Sequence, residues 1–380
     1  MGYPVGNKLN ELLLKSNEEK FSFSSCGSLA INIDGTKPDF GYKTSYETEF
    51  EFCFDLIHYF KEKKGEFDYE EFYDFIIDEL DESEEDIIKI AERHRNQTNS
   101  ISSLVNGTKK VFPQVVSFFL KDSDGRKYYD DLPYSMGLNR PGYSGIMKCI
   151  SDFGKESIVN IHTLNHDLFF ESFNRTDFLK GNLSDGFEEL GSPYYGKLIC
   201  NNRGYRVRLP YYNGKYDTNF RLYKLHGSLD YVPFFNKVKD VFIPDNYIKT
   251  PYGIGLTELY KEIEDEKGKL VYENCWINYH SDFLTGTTSK IQRYSEPLIF
   301  NKLFSIFKQN LENSEKLIII GYGAKDKEIN NMILNHFNHL GKKSFIIDPF
   351  AGETVKKLAS TIGSKLIKKH LEHINTDDLY

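Results

Sequence analysis

Three clusters of polar residues stand out because each follows a short run of apolar and β-branched residues. They are Thr163-Leu164-Asn165-His166-Asp167, His226-Gly227-Ser228 and Gly321-Tyr322-Gly323-Ala324-Lys325-Asp326. In an open parallel sheet, ligands bind at the carboxyl ends of the strands, where loops from neighbouring crossovers converge. A fourth run ends in Asp348, an acid able to bind ribose hydroxyls. The chemistry such a set offers is nucleotide binding. Each cluster also has a plain structural account: Asn165 or Asp167 can cap a following helix, His226 can sit hydrogen-bonded at a turn, and Gly321 and Gly323 can permit a tight bend. Their joint placement at one predicted sheet edge favours the nucleotide site.

The elements that must position these residues are legible as changes of hydrophobic period. Ser157-Ile158-Val159-Asn160-Ile161-His162 reads as a strand leading into Leu168-Phe169-Phe170-Glu171, and Arg221-Leu222-Tyr223-Lys224-Leu225 as a second, shorter one. Lys316-Leu317-Ile318-Ile319-Ile320 is a third, followed by a helix with Ile329, Met332, Ile333, Phe337 and Leu340 on one face. Ser344-Phe345-Ile346-Ile347 is the fourth, so residues 316–348 have the length of a βαβ unit. This alternation predicts an α/β fold, a Rossmann-like parallel sheet with crossover helices occupying residues 151–380. Residues 1–40 are expected to contribute its N-terminal part, and residues 41–150 to form an all-helical insertion.

Within that insertion Phe50, Phe52, Phe54, Leu56, Ile57 and Phe60 have helical spacing, and Ile87, Ile88, Ile90 and Ala91 start another such stretch. The acidic segment Glu66 to Asp86, interleaved with Phe67, Phe72, Phe75 and Leu80, reads as one amphipathic helix with a solvated face. Residues 121–150 hold Asp122, Asp124, Gly125, Pro133, Gly137, Pro141, Gly142 and Gly145, which predicts an irregular connection. Residues 191–220, rich in Tyr, Gly and Asn, read as a loop or hairpin excursion.

Composition narrows the function classes. Of 380 residues 39% are hydrophobic, with 30 Phe and 26 Tyr, enough for a packed core. A net charge of -8 argues against a surface built as a whole to grip nucleic acid. Cys26, Cys53, Cys149, Cys200 and Cys275 have no C-x-x-C spacing, which excludes a zinc ribbon and suggests a reducing compartment. With neither a signal peptide nor an apolar run of about 18 residues, a cytoplasmic protein without membrane contact is expected.

The clusters carry a resemblance. Thr163-Leu164-Asn165-His166-Asp167 resembles the T-x-N-x-D element of sirtuins, and Leu225-His226-Gly227-Ser228 resembles their catalytic L-H-G. Ile320-Gly321-Tyr322-Gly323 with Asp326 and Ile329-Asn330 is similar to the G-Y-S-x-x-D-x-x-I-N element of bacterial sirtuin-like proteins, with Gly323 where that family has Ser. Gly2-Tyr3-Pro4-Val5-Gly6-Asn7-Lys8-Leu9 resembles the segment after the family's G-A-G-x-S loop, which has no counterpart here. Either the chain as given begins late or its ligand binds without that loop. The four-cysteine zinc module of protein deacetylases is also missing, which tells against lysine deacylation.

The resemblance implies an NAD+ glycohydrolase of the antiphage-defence kind, with NAD+ as substrate and no metal. Nicotinamide leaves as a neutral amide from a cationic precursor, so no strong general acid is needed. The site must steady an oxocarbenium-like centre and aim a water at it. Asn165 can orient that water or the ribose, and His226, with an ordinary pKa of about 6.5, can accept a proton. Asp167 can position the nicotinamide-side ribose, and Gly321 and Gly323 let backbone N–H groups approach the phosphates. Thr163, Gly227, Tyr322, Asp326 and Asp348 complete the expected NAD+-binding set. His166 matches a variable position of the family. Thr285-Gly286-Thr287-Thr288-Ser289-Lys290 looks like a phosphate loop but reads better as surface. The resemblance further implies a homo-oligomer and a HerA-like hexameric ATPase as partner, with nucleic acid reached only through that assembly. The alternative is a catalytically weak scaffold or nuclease-complex subunit of such an ATPase.

Overall fold

Thr44 opens the first long helix. Its hydroxyl accepts the Glu47 N–H at 3.2 Å while the Glu47 carboxylate accepts the Thr44 N–H at 2.7 Å, a capping box that starts Ser45–Lys64. Gly65, left-handed at φ 86°, ends it. The structure, a computed structural model, describes residues 6–18, 22–23, 29–30, 44–95, 99–122, 141–200, 203–239, 241–251, 254–275, 281–286 and 289–380. The chain divides into two compact units. One comprises Met1–Tyr129, Glu188–Tyr212 and Gly227–Arg293, and the other Asp130–Phe187, Asn213–His226 and Tyr294–Tyr380. The division differs from three contiguous segments, because 188–212 and 227–293 form antiparallel strands that group with the N-terminal helices.

In the first unit the helices Gly6–Leu14, Ser45–Lys64, Tyr69–Asp74, Glu85–His94 and Ile101–Asp122 share a core that includes Leu9, Leu13, Phe52, Phe60, Phe72 and Phe112. Gly2 to Val5 of the family-like N-terminal segment lie outside the described residues. The acidic stretch is not one helix. Asp68 caps Tyr69–Asp74, the chain widens into a π-helical turn over Phe75–Glu79, and it leaves the helix at Leu80. Asp81 then accepts both the N–H and the hydroxyl of Ser83, a local turn that competes with helix until Glu85.

The antiparallel strands of this unit include the hairpin Tyr194–Cys200 with Arg203–Arg208, in keeping with the expected excursion. Tyr194–Cys200 also pairs with Ile254–Glu264, which pairs with Leu270–Cys275, and Tyr231–Val238 pairs with Val241–Lys249. Leu209, Val232, Phe234, Ile248 and Leu259 fill their core. On the sheet that contains the hairpin, the Arg206 guanidinium lies 3.9 Å from the centre of the Tyr272 ring and that of Arg208 lies 5.3 Å from Tyr195. Such pairs let arginines and tyrosines alternate with core residues along the strands, which hides the strands from a search for apolar runs.

The second unit contains the predicted strands. Val159–Thr163 pairs in parallel with Phe220–Lys224, whose other side takes Leu183–Ser184. Lys316–Ile320, Lys343–Ile347 and Lys365–Ile367 form a second parallel sheet, with the helix Lys327–His336 crossing between its first two strands. The expected single sheet is therefore two three-stranded sheets among the described residues. Periodicity identifies strands but does not say which edges pair. Ile161, Leu222, Phe345, Ile347 and Ile367 from both sheets nevertheless lie in one apolar core with Ile146, Met147 and Ile150.

Those last three residues belong to the helix Ser144–Glu156, which starts inside the segment expected to be irregular. The glycines there serve packing. A Cβ on Gly145 would stand 2.5 Å from the Ile374 carbonyl oxygen and 2.6 Å from those of Leu371 and Glu372. One on Gly154 would enter the Phe220 ring. The fold is mixed α/β with several sheets, two of them parallel. Among the described residues no helix is long and apolar enough to cross a membrane.

Candidate active site

Parallel pairing of Val159–Thr163 with Phe220–Lys224 sets the level of the first two clusters. Thr163 is the register partner of Lys224, and the Leu225 N–H donates to the Thr163 carbonyl at 3.0 Å. Asn165 and His226 therefore leave adjacent strands from the same height. The Thr163 hydroxyl oxygen accepts the Asn165 N–H at 3.1 Å, turning the chain, and Asp167 Oδ1 accepts the Phe169 N–H at 3.0 Å at the start of the helix Phe169–Phe173. The Asn165 side chain is exposed.

His226 is buried. Its Nε2 lies 3.4 Å from the Tyr294 hydroxyl and 3.9 Å from Asp326 Oδ2. The imidazole stacks on Tyr294 with ring centres 6.2 Å apart, and the His166 ring centre is 6.4 Å away. An imidazole facing a carboxylate and a hydroxyl can take up a proton and have the resulting charge steadied. Gly227, left-handed at φ 79°, lets the chain pass close to Phe283: a Cβ there would meet the Asp282 carbonyl oxygen at 2.6 Å.

Asp326 has two employments. Its Oδ1 accepts the N–H groups of Glu328 and Ile329, both at 3.1 Å, capping Lys327–His336, while Oδ2 is the atom that faces His226. The Tyr322 hydroxyl is turned into its own loop, 3.0 Å from the Asp326 carbonyl oxygen and 2.9 Å from Asn330 Oδ1. Burial raises its pKa, and the Asp326 charge adds to the effect, so the phenol stays protonated at neutral pH. Asn330 Nδ2 donates to the Ala324 carbonyl at 2.9 Å, holding Ala324 left-handed at φ 55°. Gly321 is exposed at φ 61° with open space where a Cβ would stand, so its backbone can be approached closely. Gly323 is exposed and its carbonyl accepts from Thr354 at 2.8 Å. Asp348 Oδ1 accepts the Phe350 N–H at 2.8 Å.

The structure thus brings His226 and Asp326 together from the ends of two different sheets, with His166 alongside. It aligns Asn165 with His226 by strand register, engages Asp167, Tyr322 and Asp348 in their own turns, and ties the Gly323 carbonyl to Thr354. Sequence reasoning missed Tyr294 and Lys224. Nothing in the sequence marks Tyr294. Lys224 is fully buried, and its Nζ donates to the carbonyls of His166 and Asp167 and to Glu171 Oε1. A charge inside Leu222-Tyr223-Lys224-Leu225, just ahead of His226, was its available signal.

Among the described residues no group of three or more His, Cys, Asp or Glu is arranged to hold a metal ion. Of the phosphate-loop-like stretch, Thr287 and Thr288 lie outside the described residues, and Lys290 Nζ is 3.6 Å from Glu70 Oε2. Among known protein families and curated proteins, none matches this chain.

Proposed function

We propose that the chain hydrolyses NAD+ at the bond between nicotinamide and ribose, releasing nicotinamide and ADP-ribose, on a Rossmann-like frame with a helical insertion. The observation that carries this reading is the pairing of His226 Nε2 with Asp326 Oδ2 at 3.9 Å, at the carboxyl ends of two parallel sheets and one strand away from Asn165. Asn165 holds a ribose hydroxyl or the attacking water through its exposed amide. His226 accepts a proton from that group, and Asp326 steadies the imidazolium. Water adds to the ribose carbon, the electrons of the broken C–N bond neutralise the pyridinium nitrogen, and one proton leaves. Gly321 offers backbone to the phosphates, Asp167 and Asp348 face ribose hydroxyls, and no metal takes part. The sirtuin-like motifs support placing this activity in antiphage NAD+ depletion, in a homo-oligomer that works with a HerA-like ATPase in the cytoplasm.

A second reading, a catalytically weak scaffold of such an ATPase, is favoured by the local turns that already occupy Asp167, Tyr322, Asp326 Oδ1 and Asp348. Nicotinamide release from NAD+ by the purified chain, alone and with its ATPase, separates the two. The hydrolase reading expects release that falls about 100-fold or more in His226→Ala and Asn165→Ala. Turnover equal in wild type and both variants, or none under either condition, leaves the scaffold.

A further inference from the structure

Lys224 is the one fully buried lysine among the described residues, and it ends the strand Phe220–Lys224 two residues before His226. An ammonium removed from water is costly unless its donors are matched. Here they are: the carbonyl of His166 at 3.4 Å, the carbonyl of Asp167, and Glu171 Oε1 at 3.2 Å. An apolar side chain of similar length would fill the same space without that desolvation, so packing alone does not account for a lysine here. What the charge does is fix main chain. Two of its acceptors are consecutive carbonyls of the turn that carries Asn165, and the third lies on the short helix that follows.

We propose that Lys224 is a positioning residue that locks the Asn165–Asp167 turn to the end of the strand that leads into His226, so that amide and imidazole are held in one rigid frame. The proposal rests on the hydrolase reading for its kinetic consequence but not for its structural one. The ladder between the two strands runs out at the Leu225 N–H bond to Thr163, and beyond that point Lys224 takes over as the cross-strand tie. A misplacement of about 1 Å at a reacting group can lower a rate about 100-fold.

Removing Lys224 alone would also take the ion-pair partner from the half-buried Glu171, so the test uses a charge-balanced pair. Lys224→Met and Lys224→Met with Glu171→Gln are compared with wild type for nicotinamide release and for hydrogen exchange of the amides from Asn165 to Phe169. The expected result is that the double variant melts close to wild type. Its kcat still falls about 30- to 100-fold with KM for NAD+ changed less than about threefold, and the turn amides exchange at least tenfold faster. Full recovery of kcat and of slow exchange in the double variant would reduce Lys224 to a counter-charge for Glu171 and overturn the proposal. If wild type releases no nicotinamide, the hydrolase reading fails by itself, and the exchange data alone decide whether Lys224 holds the turn.

Discussion

The helical unit and the parallel-sheet unit each bury a charged side chain, with opposite treatment. Glu49, on Ser45–Lys64, lies against Gly107 of Ile101–Asp122, where a Cβ would collide with its carboxyl group, and its Oε2 has no hydrogen-bond partner among the described residues. Burial pushes its pKa up to about 7, with a smaller opposing pull from Lys110. Lys224 is buried more completely, yet its three donors meet two carbonyls and a carboxylate. A buried charge without partners becomes a group that titrates, whereas one with partners becomes a strut. The strut stands beside the candidate site and the titrating group stands in a helical core.

The sharpest way to break that contrast is to remove each charge in turn. Lys224→Met should destabilise its unit by about 2 kcal/mol, because the carbonyls of His166 and Asp167 lose their donor and the half-buried Glu171 loses its ion pair with Lys224. Urea titration monitored in the parallel-sheet unit checks this, and an unchanged midpoint would contradict it. Removing the Glu49 charge should do the reverse. The folded chain holds that proton to about pH 7, whereas the unfolded chain releases it near 4.5. The stability gained is complete below pH 4.5 and is lost as pH rises through 7, about 3 kcal/mol in all. Melting curves from pH 5 to 8 should show wild type losing stability relative to Glu49→Gln as pH rises.

His162 sharpens the comparison from the other side. It stacks on Tyr223 at 4.6 Å, with Nε2 3.1 Å from Asn310 Nδ2, and burial pushes its pKa from 6.5 down to about 3. Below pH 6.5 the unfolded chain takes a proton that the folded chain refuses, so stability falls as pH drops from 6.5 toward 3. By pH 5 the loss is about 2 kcal/mol. Measured in the Glu49→Gln background, where the opposing slope is gone, acidification should destabilise the protein with His162 and leave His162→Phe much less affected.

How much of this the sequence disclosed follows from what periodicity can encode. The strands Val159–Thr163, Phe220–Lys224, Lys316–Ile320 and Lys343–Ile347 fall within two residues of their apolar runs, since burial imposes such runs directly. The antiparallel strands between Tyr194 and Cys275 were much less legible, because Arg206, Glu262 and Tyr272 occupy their solvent face. Gly142 and Gly145 read as turn formers although Gly145 is required by carbonyls that arrive from residues 371–374. In the site, residue types exposed Asn165 and His226, while the approach of Asp326 to His226 depends on how two sheets share a core. Tyr294 and the acceptors of Lys224 are tertiary facts with no local trace.

Single-turnover release of nicotinamide from NAD+ in wild type, Asn165→Ala, His226→Ala and the double variant tests the central claim most directly. If amide and imidazole act as one unit on one bond, each single variant is slowed about 100-fold or more and the double is little slower than the worse single. Losses that multiply in the double variant, or a His226→Ala protein as fast as wild type, would contradict it.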